Sequence, residues 1–172
     1  MGTNMYCFVE ESMYRDLREK RVEKWISVDK WTKNSTAILY PEHKSSTWQV
    51  ESEDMIFTDR NYGLFAILAN QRNSEGMPYI CEPRGLPDDV SPEITLQLRL
   101  HECYTTTWFT IHELLEYNWD QVFQYEDETM EGEKIIETVS YRECGNTFLK
   151  AIQERVGRKD PSRFRILIGF NH

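Results

Sequence analysis

The alternation of apolar and polar positions divides this chain into short strands and a few helices. YCFVEES, residues 6–12, and EKWISVDKW, residues 23–31, alternate well enough to predict two strands, joined by the charged connection MYRDLREKR. TWQVESEDMIF predicts a third strand, and TKNSTAILYPEHKSS before it reads as an irregular excursion. DRNYGLFAILANQRN predicts a helix capped by Asp59 or Asn61 and closed towards Gly76. Leu64, Phe65, Ile67 and Leu68 surround that helix with apolar side chains, so it belongs in the centre.

Residues 92–103 send two signals. Ser91-Pro92-Glu93 is a helix start, whereas Ile94, Leu96, Leu98 and Leu100 alternate with polar residues as in a strand. The cap tips the balance towards a short helix. Thr107–Phe109 read as extended, and Thr110 with Glu113 forms a capping box that launches IHELLEYNW. YEDETMEGEK, residues 125–134, reads as a solvated loop or an acidic face, and KIIETVSYR as a strand. Asn146 is placed as the cap of a helix with Phe148, Leu149, Ile152 and Val156 inward, closed by Gly157. RFRILIGF is a final strand, expected to share a sheet with the first. The prediction is a single α+β domain over residues 1–172, with a mostly antiparallel sheet covered by two or three helices.

Composition narrows the class. With 172 residues and 13% aromatics, the chain can bury a core without metal or disulfide staples. No apolar run is long enough for a membrane span, and the N-terminus lacks signal-peptide character, so a cytoplasmic protein is expected. Cys7, Cys81, Cys103 and Cys144 stand far apart, as reduced thiols would. The net charge of −9 concentrates in residues 110–145, with 10 acidic and 2 basic side chains. That field repels polyanions and disfavours general nucleic-acid binding. A basic host protein, or a small anionic or nucleotide-like ligand in a locally positive pocket, remains compatible, as does a homo-oligomer.

Three blocks, RNYGLFAILANQRN, EPRGLPDDVSPE and TWFTIHELLEYNWD, carry a resemblance over about residues 55–120, with a weaker one at both terminal strands. Together they resemble an uncharacterised family of small bacteriophage and prophage proteins with a PRGLP-x-DVS loop and a W-x-T-x-x-E-L block. The chain departs from the family at Tyr6-Cys7-Phe8, where an aspartate and a histidine are common. It departs again at Thr105–Thr107, where threonines replace a histidine. The resemblance implies a phage origin and a context of host takeover or counter-defence. It implies no activity.

Candidate site residues follow from the same blocks. Pro83, Gly85, Pro87 and Ser91 are explained by a stiff turn and a helix cap. Arg84 is not, and is assigned either to an anionic ligand or to an ion pair with Asp88 or Asp89. The ligand-binding set is Arg60, Tyr62, Arg84, Gly85, Asp88, Ser91 and Trp108, with rings stacking on a base and arginines holding its phosphate. Arg72 and Asn73 are placed at the far end of the central helix, away from Arg60 and Asn61. No catalytic residue, metal site or cofactor is assigned: His101, Cys103 and His112 match no zinc spacing, and no motif pairs a nucleophile with a base. Sequestration of a nucleotide-like ligand ranks first, inhibition of a host protein second, and a small phosphate-directed hydrolase third.

Overall fold

A computed structural model describes residues 2–14, 18, 21–43 and 45–171. Much of the connection MYRDLREKR lies outside these residues. In chain order the elements are β1 (Asn4–Tyr14), β2 (Val22–Ser27), β3 (Thr32–Lys33), α1 (Ser35–Leu39), β4 (Trp48–Gln49), α2 (Tyr62–Ala69) and α3 (Pro92–Leu100). Then come β5 (Thr105–Thr110), α4 (Ile111–Glu116), β6 (Val122–Glu128), β7 (Lys134–Ser140), α5 (Tyr141–Val156) and β8 (Phe164–Asn171).

The principal sheet has the order β2-β1-β8-β5, antiparallel throughout. The first and last strands pair from Asn4↔Asn171 to Glu11↔Phe164, as their patterns predict. The sheet is buried on both faces. Met5, Cys7, Val9, Phe109, Ile166, Ile168 and Phe170 pack with α2 and α5 in the larger core. Phe8 and Leu167 meet Ile94 and Leu98 of α3 and Val50 in a smaller one, bordered by Trp31 and Trp108. The architecture is the expected α+β, with three helices covering the sheet and α4 following β5.

Asn61 caps α2 by accepting from the Leu64 N–H at 2.9 Å, and Asn70 ends it in the left-handed region at φ 55°. The ending thus precedes Gly76. Residues 92–100 are helical, because Ile94, Gln97 and Leu98 share one buried face while the strand-like alternation exposes Leu96 and Leu100. The Thr110–Glu113 capping box is present.

Three expectations are corrected. The third strand shortens to Trp48–Gln49, because the acidic run after Val50 winds into a 3-10 turn at Ser52–Asp54, with Asp54 bound to Lys30 at 3.0 Å. Residues 125–134 are not a loop. Tyr125 to Glu128 belong to β6, which pairs with β7 from Val122↔Ser140 to Glu128↔Lys134, and only Thr129–Glu133 turn, with Gly132 at φ 82°. The helix assigned to Asn146 begins earlier, at Tyr141, where Ser140 accepts from the Glu143 N–H; Asn146 is an exposed position within it. TKNSTAILYPEHKSS includes β3, the one-and-a-half-turn α1 and a 3-10 turn at Pro41–His43.

Candidate functional site

Two places compete for a functional role: the loop of residues 81–91, which sequence reasoning singled out, and a tryptophan-lined cavity that it did not.

The loop runs along the outer edge of β5. The Gly85 N–H donates to the Thr106 carbonyl at 3.0 Å, the Arg84 N–H to the Thr107 hydroxyl at 3.2 Å, and Arg84 Nη1 to the Trp108 carbonyl at 3.2 Å. The bonds to the Thr106 and Trp108 carbonyls occupy groups that an edge strand otherwise leaves open. Gly85 stands at φ 73°, which a side chain rarely adopts. The Arg84 guanidinium is not left over. It forks onto Glu113, with Nη1 to Oε2 at 3.1 Å and Nη2 to Oε1 at 2.9 Å, and lies 5.2 Å from the Trp108 ring centre. The ion-pair partner is therefore Glu113 of the α4 capping box, not Asp88 or Asp89. Burial raises the Glu113 pKa, but hydrogen bonds from Arg84 and the Thr110 N–H outweigh it and hold it below the usual value.

Asp89 and Ser91 anchor the loop's other end to the centre of the sheet. Glu10 and Arg165 are direct cross-strand partners, both buried, with Arg165 Nε donating to Glu10 Oε2 at 2.7 Å. Arg165 also donates to Asp89 through Nη1 at 2.7 Å. Glu10 accepts from the Ser91 N–H at 2.7 Å and from the Ser91 hydroxyl. Ser91 thus starts α3 without capping it, because its hydroxyl serves the buried carboxylate. Asp88 is exposed.

Arg60 and Tyr62 stand elsewhere. Arg60 Nη2 donates to Asn4 Oδ1 at 2.7 Å, at the opposite end of β1 from Glu10. Six residues of strand separate the two points, about 20 Å. The seven sequence-assigned residues therefore do not form one site. Arg72, placed far from Tyr62 by the sequence reading, lies 5.9 Å from its ring. The helix between them is only eight residues long, and Asn70 and Arg72, both at φ 55°, fold the chain back.

The cavity measures about 470 Å³ and opens between β2, the β3–β4 pair and the start of α3. Trp25, Trp31 and Trp48 line it, with Ser27, Ser91, Pro92 and Glu93. Two of the three indoles are held in place. Trp25 rests on the Arg165 guanidinium, 4.1 Å from ring centre to carbon. Trp31 donates from Nε1 to the Ser27 hydroxyl at 2.8 Å and stacks on Phe8. Trp48 has Lys33 Nζ 5.9 Å from its ring and stays 45% exposed. The signal was present in the sequence as three tryptophans between 25 and 48. It was unreadable there because Trp48 lies in a predicted strand beyond an irregular excursion, and nothing in the sequence says that this strand comes near the one carrying Trp25.

Chemistry at three of the four thiols is disfavoured. Burial pushes the Cys7 thiol well above its usual range, Cys103 up to about 12, and Cys144 upward as well. Among the described residues no group of three His, Cys, Asp or Glu could hold a metal ion, and no helix is long and apolar enough to cross a membrane. Compared with protein-family models, curated proteins and solved structures, the chain matches none.

Proposed function

We propose that this chain is a non-catalytic binding protein that takes a flat, nucleotide-like ring into the cavity of Trp25, Trp31 and Trp48. The observation that carries the reading is three indoles, Trp25 and Trp31 of them fixed by their neighbours, around a cavity of about 470 Å³, a size usual for small-ligand sites. Rigid rings lose little freedom when a ligand stacks on them, and each stack is worth roughly 1–3 kcal/mol. Two of the three indoles already hold a cation, Arg165 on Trp25 and Lys33 at Trp48. A third cation would be repelled, so the site favours a neutral or anionic ring over a quaternary ammonium. The lining offers one lysine, Lys24, against one glutamate, Glu93, which favours recognition of the ring over that of a phosphate.

The phage resemblance supplies the context: a protein of host takeover or counter-defence that acts by withholding a ligand. Inhibition of a basic host protein is the second reading, favoured by the β6–β7 hairpin. Residues 122–140 carry six acidic side chains and one lysine, and leave Val122, Met130 and Ile136 exposed.

The test is quenching of tryptophan emission by adenosine monophosphate, N-acetyl-tyrosinamide and tetramethylammonium. The rings should quench and tetramethylammonium should not, and Trp31→Ala or Trp48→Ala should weaken ring binding at least tenfold. Tighter binding of tetramethylammonium, or no response to either ring, would overturn the reading.

A further inference from the structure

The four-stranded sheet has two outer edges, and they are treated differently. The loop of residues 81–91 seals β5 through Gly85 and Arg84. Among the described strands β2 has a single neighbour, β1.

The register tells which groups of β2 face outwards. The Val28 N–H donates to the Val9 carbonyl at 2.9 Å, and the pairing continues through Glu10↔Ser27, Glu11↔Ile26, Ser12↔Trp25 and Met13↔Lys24. Bonded and non-bonded pairs alternate along an antiparallel ladder. Ile26 and Lys24 therefore bond to β1, while Trp25 and Ser27 turn their main-chain N–H and C=O groups away from it. No main-chain hydrogen bond from another described element closes on those groups. The side chains of the same two residues share one face of the sheet and line the tryptophan cavity. An open edge and a pocket for one side chain thus lie side by side on one strand. Ile26, 44% exposed, puts an apolar side chain on this edge strand, and exposed Lys24 is the charge beside it that discourages indiscriminate pairing.

We infer that β2 receives an extended polypeptide strand. The partner's main chain pairs with Trp25 and Ser27, and one of its aromatic side chains enters the cavity among the three indoles. This mode draws affinity from the main chain and specificity from the pocket that takes alternate side chains. The inference rests on the ring-binding reading and adds a polypeptide's aromatic side chain to the flat rings that the cavity takes. Added strands lie about 4.8 Å away, close enough for a side chain on the cavity face to reach the indoles.

The test uses the full chain and a capped seven-residue peptide of alternating threonine and valine with one central phenylalanine. Amide exchange is followed residue by residue by NMR. The peptide should slow exchange at Trp25 and Ser27 at least tenfold, with little change at Lys24 and Ile26, which are already bonded. N-methylation of the peptide amides on the pairing edge should abolish binding, and alanine for the central phenylalanine should weaken it at least tenfold. Binding without protection at Trp25 and Ser27, indifference to N-methylation, or no binding would overturn the inference. So would protection of the same amides without peptide, accompanied by a dimer in sedimentation, since a second copy would then hold the edge. If adenosine monophosphate and N-acetyl-tyrosinamide bind while the peptide does not, the ring pocket stands and the strand-addition inference falls. If none of the three binds, both fall.

Discussion

The Arg165 guanidinium lies 4.1 Å from the centre of the Trp25 ring while its Nε donates to buried Glu10 at 2.7 Å. One side chain therefore links the centre of the sheet, the end of the 81–91 loop at Asp89, and the wall of the tryptophan cavity. Its surroundings are nearly closed to water, with Arg165 3% exposed and Glu10 fully buried. A charge pair so placed adds little net stability compared with an apolar core, but breaking it is costly.

Glu10→Gln tests that link. The substitution keeps the shape and removes the charge, leaving Arg165 with Asp89 as its carboxylate partner. Loss of one member of a buried pair costs about 3–5 kcal/mol, and the full range applies here because the glutamine NH2 must face a donor, either Arg165 Nε or the Ser91 N–H. Urea unfolding should show the loss, and tryptophan emission should shift as Trp25 loses its fixed support. An unchanged midpoint and spectrum would mean that the network does not hold the cavity wall.

Arg84→Ala separates an edge-sealing role from a ligand role. The fork onto Glu113 is partly exposed, and such pairs contribute about 0.2–1 kcal/mol; the bond to the Trp108 carbonyl is lost with it. A stability loss of about 1 kcal/mol is expected, with ring binding at the tryptophan cavity unchanged. Lysine should restore only part, because it keeps the charge and loses the fork. A fall in ligand affinity with no change in stability would return Arg84 to the ligand-binding role that the sequence suggested.

The sequence displays what depends on periodicity. β1, β8, the Thr110–Glu113 capping box and the all-round apolar α2 are legible because each is a local pattern with one physical solution. Residues 92–100 were ambiguous for a physical reason: their leucines alternate, and only packing against Phe8 and Leu167 selects the helical face with Ile94 and Leu98. Ser91 looked like a cap because its hydroxyl is suited to one, yet the hydroxyl is taken by Glu10, 81 residues away. Arg84 looked unemployed because its partner, Glu113, lies 29 positions further on. The cavity was hidden for the same reason. Trp25 and Trp48 line one cavity from segments separated by an irregular excursion, and β3 and β4, which bring Trp48 there, are only two residues each.

Gly145→Ala sets two effects against each other. Within a helix, alanine is favoured over glycine by about 1 kcal/mol. Here, a Cβ on Gly145 would stand 2.6 Å from Cζ3 of Trp119, a ring that is itself buried and fixed by its Nε1 donating to the Leu114 carbonyl at 2.7 Å. Overpacking of that kind costs typically 1–3 kcal/mol, so the clash outweighs the propensity. Thermal unfolding should show a net loss of about 1 kcal/mol. A gain in melting temperature would show that Trp119 can withdraw and that α5 packs more loosely than its contacts indicate.

His101 gives the fold a dependence on pH near neutrality. Its ring stacks on Tyr6, with centres 4.0 Å apart and planes 12° from parallel. Burial pushes its pKa below the ordinary histidine value, because the charged form loses water on folding. The unfolded chain therefore binds the proton more readily than the folded one, and stability rises with pH across the interval between the two values. The stabilising contribution is complete above the ordinary value, about pH 6.5, and is lost as pH falls through the lowered one. His101→Phe keeps a ring over Tyr6 and removes the titration. The Asn171 amide bonds to the His101 main-chain carbonyl, so that contact survives the substitution. Between pH 8 and about pH 7 the two proteins should keep a constant difference in melting temperature. From there towards pH 5 the native chain should lose stability relative to the variant. A difference that stays flat across the whole range, or that moves in favour of the native chain on acidification, would contradict the assignment.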